Sequence, residues 1–264
     1  MTVLDADLVA AIETTLHFYP PVPGLTDPLA IPGVQGRVSA LSHPLANLVG
    51  MARLDEKSAD ATIDRVTKRF ADQRKAFGWI TGPGTTPRDL PRRLEKHRLR
   101  HAGSLAGMAL TDLDREITPN PSVEIREVTA AETARETEMM GRAYGMPVEV
   151  AGLFTRLLAA PNTGIRGRGY FAYLDGNTPV AWSYLVYVPR SPIVLLGGAA
   201  TLPEHRGHGM YTALVKRRLD DARGDGREAA IIQADRDTSA PICAKLGFRE
   251  LCSLEFYAWA PPES

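Results

Sequence analysis

The chain has 264 residues, of which 44 % are hydrophobic and 23 % are charged. These are ordinary values for a globular protein, so they exclude a disordered, collagenous or coiled-coil chain. Lys plus Arg and Asp plus Glu both total 31, which makes the formal net charge zero. Nucleic acid is therefore not expected as a partner, because neutralising phosphates takes a basic excess or a strong basic patch. At about 100–200 residues per domain, the length predicts two domains.

Neither a membrane segment nor a leader is predicted. No stretch approaches the about 18 uninterrupted apolar residues that a membrane helix needs. The opening residues carry acids within their apolar stretch and lack the basic start of a secretory signal. Cys243 and Cys252 are too few for a disulfide framework and too far apart for a C-x-x-C site. We therefore expect a cytoplasmic protein with reduced thiols and no membrane partner.

Proline and glycine divide the first half into short elements. A helix is predicted over 5–16, and the Pro- and Gly-rich run that follows it, 20–33, is predicted to be irregular surface chain. The elements predicted next are a strand-like segment (43–54), a helix (58–76), a strand (77–81), a helix (89–96) and a strand (104–110).

A polar, proline-bearing stretch over 111–121 is predicted to be a linker. After it, Thr129 and Glu132 form a capping box for the first helix of the second half. The predicted strands are 123–128, 170–174, 180–188, 193–202, 229–234 and 248–260, and the predicted helices are 130–144, 148–159, 210–222 and 239–246. Sequential hairpins between helical segments indicate a mixed α/β unit.

Two segments of the first half recur in the second half at one offset. LEKHRLRHAGSLAGMA from Leu94 resembles CAKLGFRELCSLEFYA from Cys243, and VTKRFADQR from Val66 resembles VKRRLDDAR from Val215. In both pairs the segments are 149 residues apart. Two matches at the same offset favour an internal duplication. The alternative is that both halves contain the same common helix–strand pattern.

One loop has the composition of an anion site. An apolar strand over 193–202 leads through a proline into the sequence RGHG (206–209) and directly into a helix. Glycines let the backbone come close to a ligand, and the first amides of a helix point at it with the positive end of the dipole. A pyrophosphate group fits such a place. The loop lacks the G-K-[ST] of a Walker A motif, and the first half has no comparable loop.

This loop and the segment after it resemble the GNAT superfamily of coenzyme A-dependent N-acyltransferases. The family signature R/Q-x-x-G-x-G/A falls on Arg206, Gly209 and Tyr211, and its V-x-P lead-in falls on 201–203. The downstream pattern Y-x-x-L-G-F falls on 243–248, where a cysteine replaces the tyrosine. The resemblance covers the chain from residue 123 onward, and the repeat extends it in degenerate form to 43–115.

The resemblance implies an α/β fold with a mixed, mostly antiparallel central sheet flanked by helices. A smaller, degenerate copy of this fold at the N-terminus is expected to be stacked against the second half. We expect a degenerate GNAT-like domain over 1–115 and a catalytic acetyltransferase domain over 122–264.

The resemblance also implies acetyl-coenzyme A as acyl donor, lying between the strand that ends at Leu202 and the strand that ends at Ala234. By position, the backbone around Ala200 and Thr201 would pair with the pantetheine arm. The pyrophosphate would be held by consecutive backbone amides, those of Arg206, Gly207, His208, Gly209, Met210 and Tyr211. Tyr211 departs from the small residue usual in the family, which we expect to change the rim of the site and not to abolish it.

Acyl transfer needs an uncharged amine and a proton for the departing thiolate. Many family members supply the proton from a tyrosine at the position of Cys243, and a thiol is able to replace it. The favoured alternative is that Cys243 is a small buried packing residue. Asp235 and Glu204 are the candidate bases, with His205 nearby. Their alternatives are a strand-end or turn cap for Asp235 and a solvated loop residue for Glu204.

The expected reaction is transfer of an acetyl group from acetyl-coenzyme A to a primary amine, by direct attack in a ternary complex. The acceptor is expected to be a small molecule, because neutral charge speaks weakly against a macromolecular substrate. A longer acyl-coenzyme A or an acyl carrier protein as donor, or a non-catalytic coenzyme A-binding module, stays open, and so does the oligomeric state. The basic cluster at 88–100 is either a docking face for an acyl carrier protein or a solvated helix face. No metal site is expected, since His97 and His101 lack the Glu of H-E-x-x-H.

Overall fold

The computed structural model describes residues 3–174 and 176–262. The helices are α1 (Asp5–Thr14), α2 (Ala59–Ala71), α3 (Leu90–Lys96), α4 (Ala130–Arg135), α5 (Thr137–Tyr144), α6 (Val148–Ala159), α7 (Met210–Gly224) and α8 (Ser239–Lys245). The strands are β1 (Thr26–Pro28), β2 (Gln35–Ser39), β3 (Leu48–Gly50), β4 (Phe77–Thr81), β5 (Arg100–Leu110), β6 (Val123–Val128), β7 (Arg166–Leu174), β8 (Pro179–Tyr187), β9 (Ile193–Leu195), β10 (Ala199–Thr201), β11 (Ala229–Asp235) and β12 (Arg249–Trp259).

Within these described residues, the strands form one continuous sheet in the order β1-β2-β3-β4-β12-β5-β11-β9-β8-β7-β6, with β10 paired to β8. Two neighbouring pairs are parallel, β3 with β4 and β9 with β11, and the others are antiparallel. The predicted class, a mixed and mostly antiparallel sheet flanked by helices, is confirmed.

The last strands of the two halves are exchanged. β12, from the end of the chain, lies between β4 and β5, and β5, from the first half, lies between β12 and β11. The first half is therefore not stacked against the second as expected, but continues the same sheet edge to edge. A hydrophobic core cluster accordingly includes Leu8 and Ile12 from α1 together with Ile231 and Leu254 from the second half.

The predicted repeat coincides with the boundaries of the elements. Shifted by 149 residues, α3 falls on α8 and β5 falls on β12, in each case from first to last residue. The pairing of β5 with β12 is also symmetric, since Arg100 faces Ala258 and Arg249 faces Ala109. The pairing has two irregularities, one at Leu251 on β12 and one at Ala102 on β5, and these two residues are also 149 positions apart. Such a pseudo-two-fold axis between equivalent strands supports the duplication.

Four predicted elements differ from the structure, and one of them, the strand predicted over 193–202, is divided into β9 and β10. The Pro- and Gly-rich run is not wholly irregular, because β1 lies within it and β2 follows it directly. These strands have three and five residues, too short to produce an alternating pattern that the sequence reveals. Of the strand-like segment predicted over 43–54, only Leu48–Gly50 forms a strand, β3. The residues before it form a turn, in which the amides of Ala46 and Asn47 both donate to the His43 carbonyl.

The predicted helix over 130–144 is two helices, which meet at Glu136 with φ −100° and ψ 19°. Its predicted capping box is confirmed: the Thr129 side chain accepts from the Glu132 amide, and Glu132 reaches back to the Thr129 amide. In the described residues, no helix is long and apolar enough to cross a membrane.

Candidate functional site

A gap opens in the sheet where β9 and β11 diverge. The two strands pair in parallel over Ile193–Leu195 and Ala229–Ile231, and a last backbone bond joins the Leu196 amide to the Ile231 carbonyl at 2.9 Å. Beyond that point β10 pairs with β8, and the remainder of β11 pairs with β5. The facing edges of β10 and β11 are thus free to receive an extended ligand between them.

A bulge marks the start of this gap. The Tyr184 amide on β8 donates to the carbonyls of both Gly197 and Gly198, at 3.0 and 3.2 Å. This extra residue breaks the predicted strand 193–202 into β9 and β10 and turns β10 away from β11. Gly198 has φ +38°, and a Cβ there would lie 2.9 Å from the Trp182 ring, so the close approach of the ring requires glycine.

The loop between β10 and α7 forms a cradle of backbone amides, residues 206–211. After a 3-10 turn over Pro203–His205, Gly207 and Gly209 adopt φ +81° and φ +84°, and α7 begins at Met210. In the part of the chain that the structure describes, the amides of 207–212 donate to no protein acceptor. The Arg206 amide, which was also expected to hold the pyrophosphate, instead donates to the Pro203 carbonyl at 3.3 Å and closes the 3-10 turn. Unpaired amides at the positive end of a helix dipole bind phosphate groups. The cradle therefore has the geometry that a pyrophosphate needs.

Two polar side chains hold the cradle in place. The Arg206 guanidinium donates to the Thr201 carbonyl at 3.2 Å and to the Ala143 carbonyl at 3.3 Å, which ties the loop to β10 and α5. On the other side the Asn120 amide donates to the His208 carbonyl at 2.9 Å. The predicted linker, 111–121, thus contacts the cradle, which no sequence pattern predicted.

Cys243 is fully buried on α8, and its sulfur lies 3.3 Å from the Tyr211 hydroxyl. Burial raises the pKa of both the Tyr211 phenol and the Cys243 thiol, so both groups hold their protons at neutral pH. The two departures from the family pattern, a tyrosine in the signature and a cysteine in the downstream motif, are therefore in contact. The pair places a hydroxyl beside the cradle, close to the position where the family usually has its tyrosine.

Arg218 lies behind this pair with its side chain wholly buried. Its guanidinium donates to the carbonyls of Leu214 and Tyr184, while Nη2 has no partner among the described residues. Burial lowers the pKa of Arg218, and its positive charge opposes the increase in the pKa of Tyr211 and Cys243. No sequence pattern singled out Arg218, because it is one of several basic residues on an amphipathic helix.

The two candidate bases have other contacts. Asp235 Oδ1 accepts from the amides of Asp237 and Thr238 and from the Thr238 hydroxyl, so the carboxylate caps the turn before α8. Asp235 is the last residue of β11 and lies past the residues that pair with β9, so it is at the open end of the gap.

Glu204 forms an exposed ion pair with Arg142 at 2.9 Å. Hydrogen bonding within the loop and the charge of Arg142 lower the pKa of the Glu204 carboxyl. A low pKa weakens a general base at neutral pH.

The corresponding place in the first half is built differently. Shifted back by 149 residues, the cradle falls on 57–62, which contains no glycine. There the Asp55 carboxylate accepts from the amides of Lys57 and Ser58 at 3.0 and 2.8 Å. A protein carboxylate thus takes the position and the sign of charge that a bound phosphate would have.

The histidines that the sequence singled out are hydrogen-bonded to carboxylates. His97 lies between Asp60 and Asp64, and His101 contacts Glu255. Across residues 3–174 and 176–262, no group of three or more His, Cys, Asp or Glu side chains is arranged to hold a metal ion.

Residues 142–248 match the acetyltransferase (GNAT) family. The chain contains a GNAT acetyltransferase domain. This domain includes the gap, the bulge, the cradle and Cys243, so the geometry above and the family match concern the same part of the chain. No curated protein matches the sequence significantly.

Solved structures share the fold over nearly the whole chain. A GCN5-related N-acetyltransferase from Kribbella flavida has a TM-score of 0.70 at 17 % identity, covering 97 % of this chain and 96 % of that chain. A tandem GNAT protein from the clavulanic acid biosynthesis pathway has a TM-score of 0.60 at 13 % identity, with 98 % and 89 % covered. A GCN5-related N-acetyltransferase from Sphaerobacter thermophilus has a TM-score of 0.61 at 14 % identity, covering 88 % of this chain and 78 % of that chain. The likeness to the tandem protein agrees with a second, GNAT-like half at the N-terminus.

Proposed function

We propose that this protein transfers an acetyl group from acetyl-coenzyme A to a primary amine of a small molecule, within a ternary complex. The observation that carries this proposal is the row of unpaired amides at 207–211 of the cradle, at the mouth of the gap between β10 and β11. Acyl transfer from acyl-coenzyme A is the activity of the GNAT family that residues 142–248 match.

Acetyl-coenzyme A supplies an activated thioester. The amides of the cradle would bind its pyrophosphate, and the free edge at Ala200 and Thr201 would pair with the pantetheine arm as an added strand. That placement puts the thioester beside the bulge at Gly197 and Gly198, with the amine arriving from the side of α5. Direct attack then needs no covalent intermediate on the protein.

The Tyr211 hydroxyl is better placed than the Cys243 thiol to donate a proton to the leaving thiolate. Cys243 has no exposed surface, whereas Tyr211 lies in the cradle and is only partly buried. For the base, Asp235 remains the stronger candidate because it lies at the open end of the gap, although one of its oxygens caps a turn. Glu204 is the weaker candidate because of its ion pair with Arg142.

A non-catalytic coenzyme A-binding module is the second candidate. The observation in its favour is that each proposed catalytic carboxylate or thiol already has a protein partner: Asp235 caps a turn, Glu204 pairs with Arg142, and Cys243 contacts Tyr211. A donor with a longer acyl chain, or one carried by an acyl carrier protein, is the further alternative.

Thiol release from acetyl-coenzyme A with a panel of primary amines separates these candidates. Turnover that depends on the amine supports the acetyltransferase. Calorimetric binding of coenzyme A without turnover on any amine indicates the module. The same titration measures stoichiometry, and we expect one coenzyme A per chain because Asp55 occupies the corresponding place in the first half.

We also propose the domain boundaries 1–115 and 122–264 and a cytoplasmic location. The boundaries follow the linker and the repeat, while β5 and β12 each cross into the sheet of the other half.

A further inference from the structure

Arg218 is a buried cation on α7 whose hydrogen bonds are all to neutral groups. Its side chain has no exposed surface. Nε donates to the Leu214 carbonyl at 3.0 Å and Nη1 donates to the Tyr184 carbonyl at 3.1 Å, while Nη2 is buried with no partner among the described residues. A guanidinium stays charged in proteins. The fold therefore holds a positive charge at this place, with one donor group left over.

No carboxylate forms an ion pair with Arg218 in the part of the chain that the structure describes. The two aspartates nearest to it on α7 pair with other cations, Asp220 with Lys216 at 2.5 Å and Asp221 with Arg217 at 2.9 Å. A buried charge without a partner is costly. Such groups are rare and are found mainly at functional sites, where they meet a ligand or a charge that forms during a reaction.

The guanidinium lies at the bulge where the gap begins. β10 pairs with β8 in the register of Ala199 with Ser183, so Gly198 lies opposite Tyr184. The Tyr184 amide donates to the Gly198 carbonyl at 3.2 Å and also to the Gly197 carbonyl at 3.0 Å. Two opposed residues of an antiparallel ladder that are joined in this way normally exchange two hydrogen bonds. The second bond would run from the Gly198 amide back to the Tyr184 carbonyl.

Arg218 takes the place of that second bond. The Tyr184 carbonyl accepts from Arg218 Nη1, and the Gly198 amide donates to no protein acceptor within residues 3–174 and 176–262. A side chain from α7 thus replaces one backbone bond between β8 and β10. Because the carbonyl is already bonded, the bulge does not close into a regular pair, and a backbone N–H is left free near the buried charge.

This inference rests on the proposed function, which places the pantetheine arm along Ala200 and Thr201 and the thioester beside the bulge. When the amine attacks the thioester carbonyl, negative charge collects on the carbonyl oxygen. The C–S bond then breaks, and its electron pair leaves on sulfur. Fixed donors and cations near such charge lower the barrier, most strongly where water is excluded. Arg218 and the free Gly198 amide are groups of this kind.

We propose that Arg218 is a positioning residue for the acyl transfer. By bonding to the Tyr184 carbonyl, it keeps the bulge open and the Gly198 amide free for the thioester oxygen. Its unbalanced charge favours the negative charge that passes from that oxygen to the leaving sulfur. The counter-charge that Arg218 lacks in the free protein is thus formed in the reaction itself.

The test replaces Arg218 by Met, which is neutral and of similar length, and by Lys, which keeps the charge but lacks the fork of donors. We expect Arg218→Met to lower kcat about 100-fold with KM for acetyl-coenzyme A nearly unchanged, as for an interaction made in the transition state. Arg218→Lys should recover about tenfold of that loss. A normal kcat in Arg218→Met, or an equal loss in both variants, overturns the proposal.

Arg217→Met is the matched control, because it removes the same charge from the same helix on a different face. The Arg217 side chain is 34 % exposed and bonds to Asp221 and to the Ile125 carbonyl. This variant should keep kcat within a few-fold of the wild type. An equal loss of kcat in Arg217→Met would show that the total charge of α7 matters, and not the charge at the bulge, which rejects the proposal.

The stability of the free protein separates a positioning role from a merely structural one. Replacing an unbalanced buried charge by an apolar side chain of similar volume is often neutral or stabilising. We therefore expect Arg218→Met to unfold at the same denaturant concentration as the wild type, or at a higher one, while its kcat falls. If Arg218→Met is destabilised and kcat falls only in proportion to the folded fraction, Arg218 is structural and the proposal fails.

A further measurement needs neither an acyl group nor an amine. Coenzyme A bound alone carries its free thiol, and ultraviolet absorbance distinguishes the thiolate from the thiol. At a fixed pH near the pKa of the free thiol, binding to the wild type should raise the thiolate fraction, because a nearby cation favours the charged sulfur. Binding to Arg218→Met should not raise it. No increase with the wild type, or the same increase with Arg218→Met, contradicts the proposal.

These measurements distinguish failure of this inference from failure of the proposed function. Turnover on an amine that Arg218→Met leaves unchanged keeps the acetyltransferase and rejects the role of Arg218. A thiolate increase that depends on Arg218, without turnover on any amine, keeps the charge beside the sulfur and rejects the acetyltransferase. If the wild type does not bind coenzyme A, both are rejected.

Discussion

Gly207 is the residue at which the cradle is most directly tested. It has φ +81°, and a Cβ there would meet nothing within 4 Å, so a side chain extends into open space beside the amides. Asn and Asp tolerate this backbone conformation better than other non-glycine residues. They have nearly the same shape and differ in charge, which makes them a matched pair.

We expect Gly207→Asp to weaken coenzyme A binding on the order of 100-fold, about 2.8 kcal/mol, because a carboxylate would face the pyrophosphate. Gly207→Asn should weaken it by no more than about tenfold. Isothermal titration calorimetry measures both, with thermal unfolding as the check that both variants fold. Equal affinities for the two variants would show that the pyrophosphate is bound elsewhere.

The contact of Tyr211 with Cys243 gives a second residue-level prediction. We expect Tyr211→Phe to lower kcat by about 10²–10⁴ with little change in KM, as for loss of a general acid. Cys243→Ala removes the same hydrogen bond but keeps the phenol, so it should change kcat only a few-fold and lower the free energy of unfolding by roughly 1 kcal/mol. Cys243→Ser should also stay within a few-fold.

The opposite ranking, with Cys243→Ala nearly inactive and Tyr211→Phe nearly normal at equal folding, would assign the acid to the thiol. An acyl adduct on Cys243, seen by mass spectrometry, would replace direct transfer by a covalent mechanism.

At the scale of the elements, the exchange of strands depends on close packing between β4 and β12. A Cβ at Gly78 would lie 2.4 Å from the Phe256 ring and 2.9 Å from the Pro44 carbonyl oxygen. The glycine on β4 thus allows an aromatic ring from the other end of the chain to approach the strand closely.

We expect Gly78→Ala to lower the free energy of unfolding by about 1–3 kcal/mol through overpacking. In the background of Phe256→Leu the same substitution should cost less, because the ring that it meets is gone. Gly224→Ala is the control: no atom lies within 4 Å of its Cβ at the end of α7, so the change should be neutral or stabilising by up to about 1 kcal/mol. Denaturant unfolding is measured for the wild type, Gly78→Ala, Phe256→Leu and the double variant, which together form a double-mutant cycle. Strictly additive effects would show that the ring and the glycine are not coupled.

For the whole molecule, the shared sheet makes each half incomplete. Without the first half, β12 loses both of its neighbours and β11 loses β5. Without the second half, β5 loses both of its neighbours, β4 has an unpaired edge, and the apolar face of α1 loses its partners in the common core.

We therefore expect fragments 1–121 and 122–264 to be unfolded or aggregated separately and to regain a folded, coenzyme A-binding complex when mixed or co-expressed. Circular dichroism and size-exclusion chromatography follow the folding, and calorimetry follows the binding. A fragment 122–264 that unfolds cooperatively and binds coenzyme A alone would show that the exchange is dispensable.

Local patterns were enough to predict much of this protein. The strand 77–81, the helix 148–159 and the Thr129 capping box depend on hydrophobic period and side-chain chemistry within a few residues, and the structure confirms them. The cradle was predictable for the same reason, since glycines directly before an amphipathic helix fix its amides regardless of what surrounds them. The offset of 149 residues likewise follows from the sequence alone.

What tertiary structure decided are the contacts between distant segments. The exchange of β5 and β12 and the contact of Asn120 with the cradle depend on which edges and faces remain free after the local elements form. A sequence fixes the preference of each segment for helix or strand, but several partners satisfy an exposed strand edge equally well. Packing of the whole chain chooses among them, and that choice places the residues around the gap.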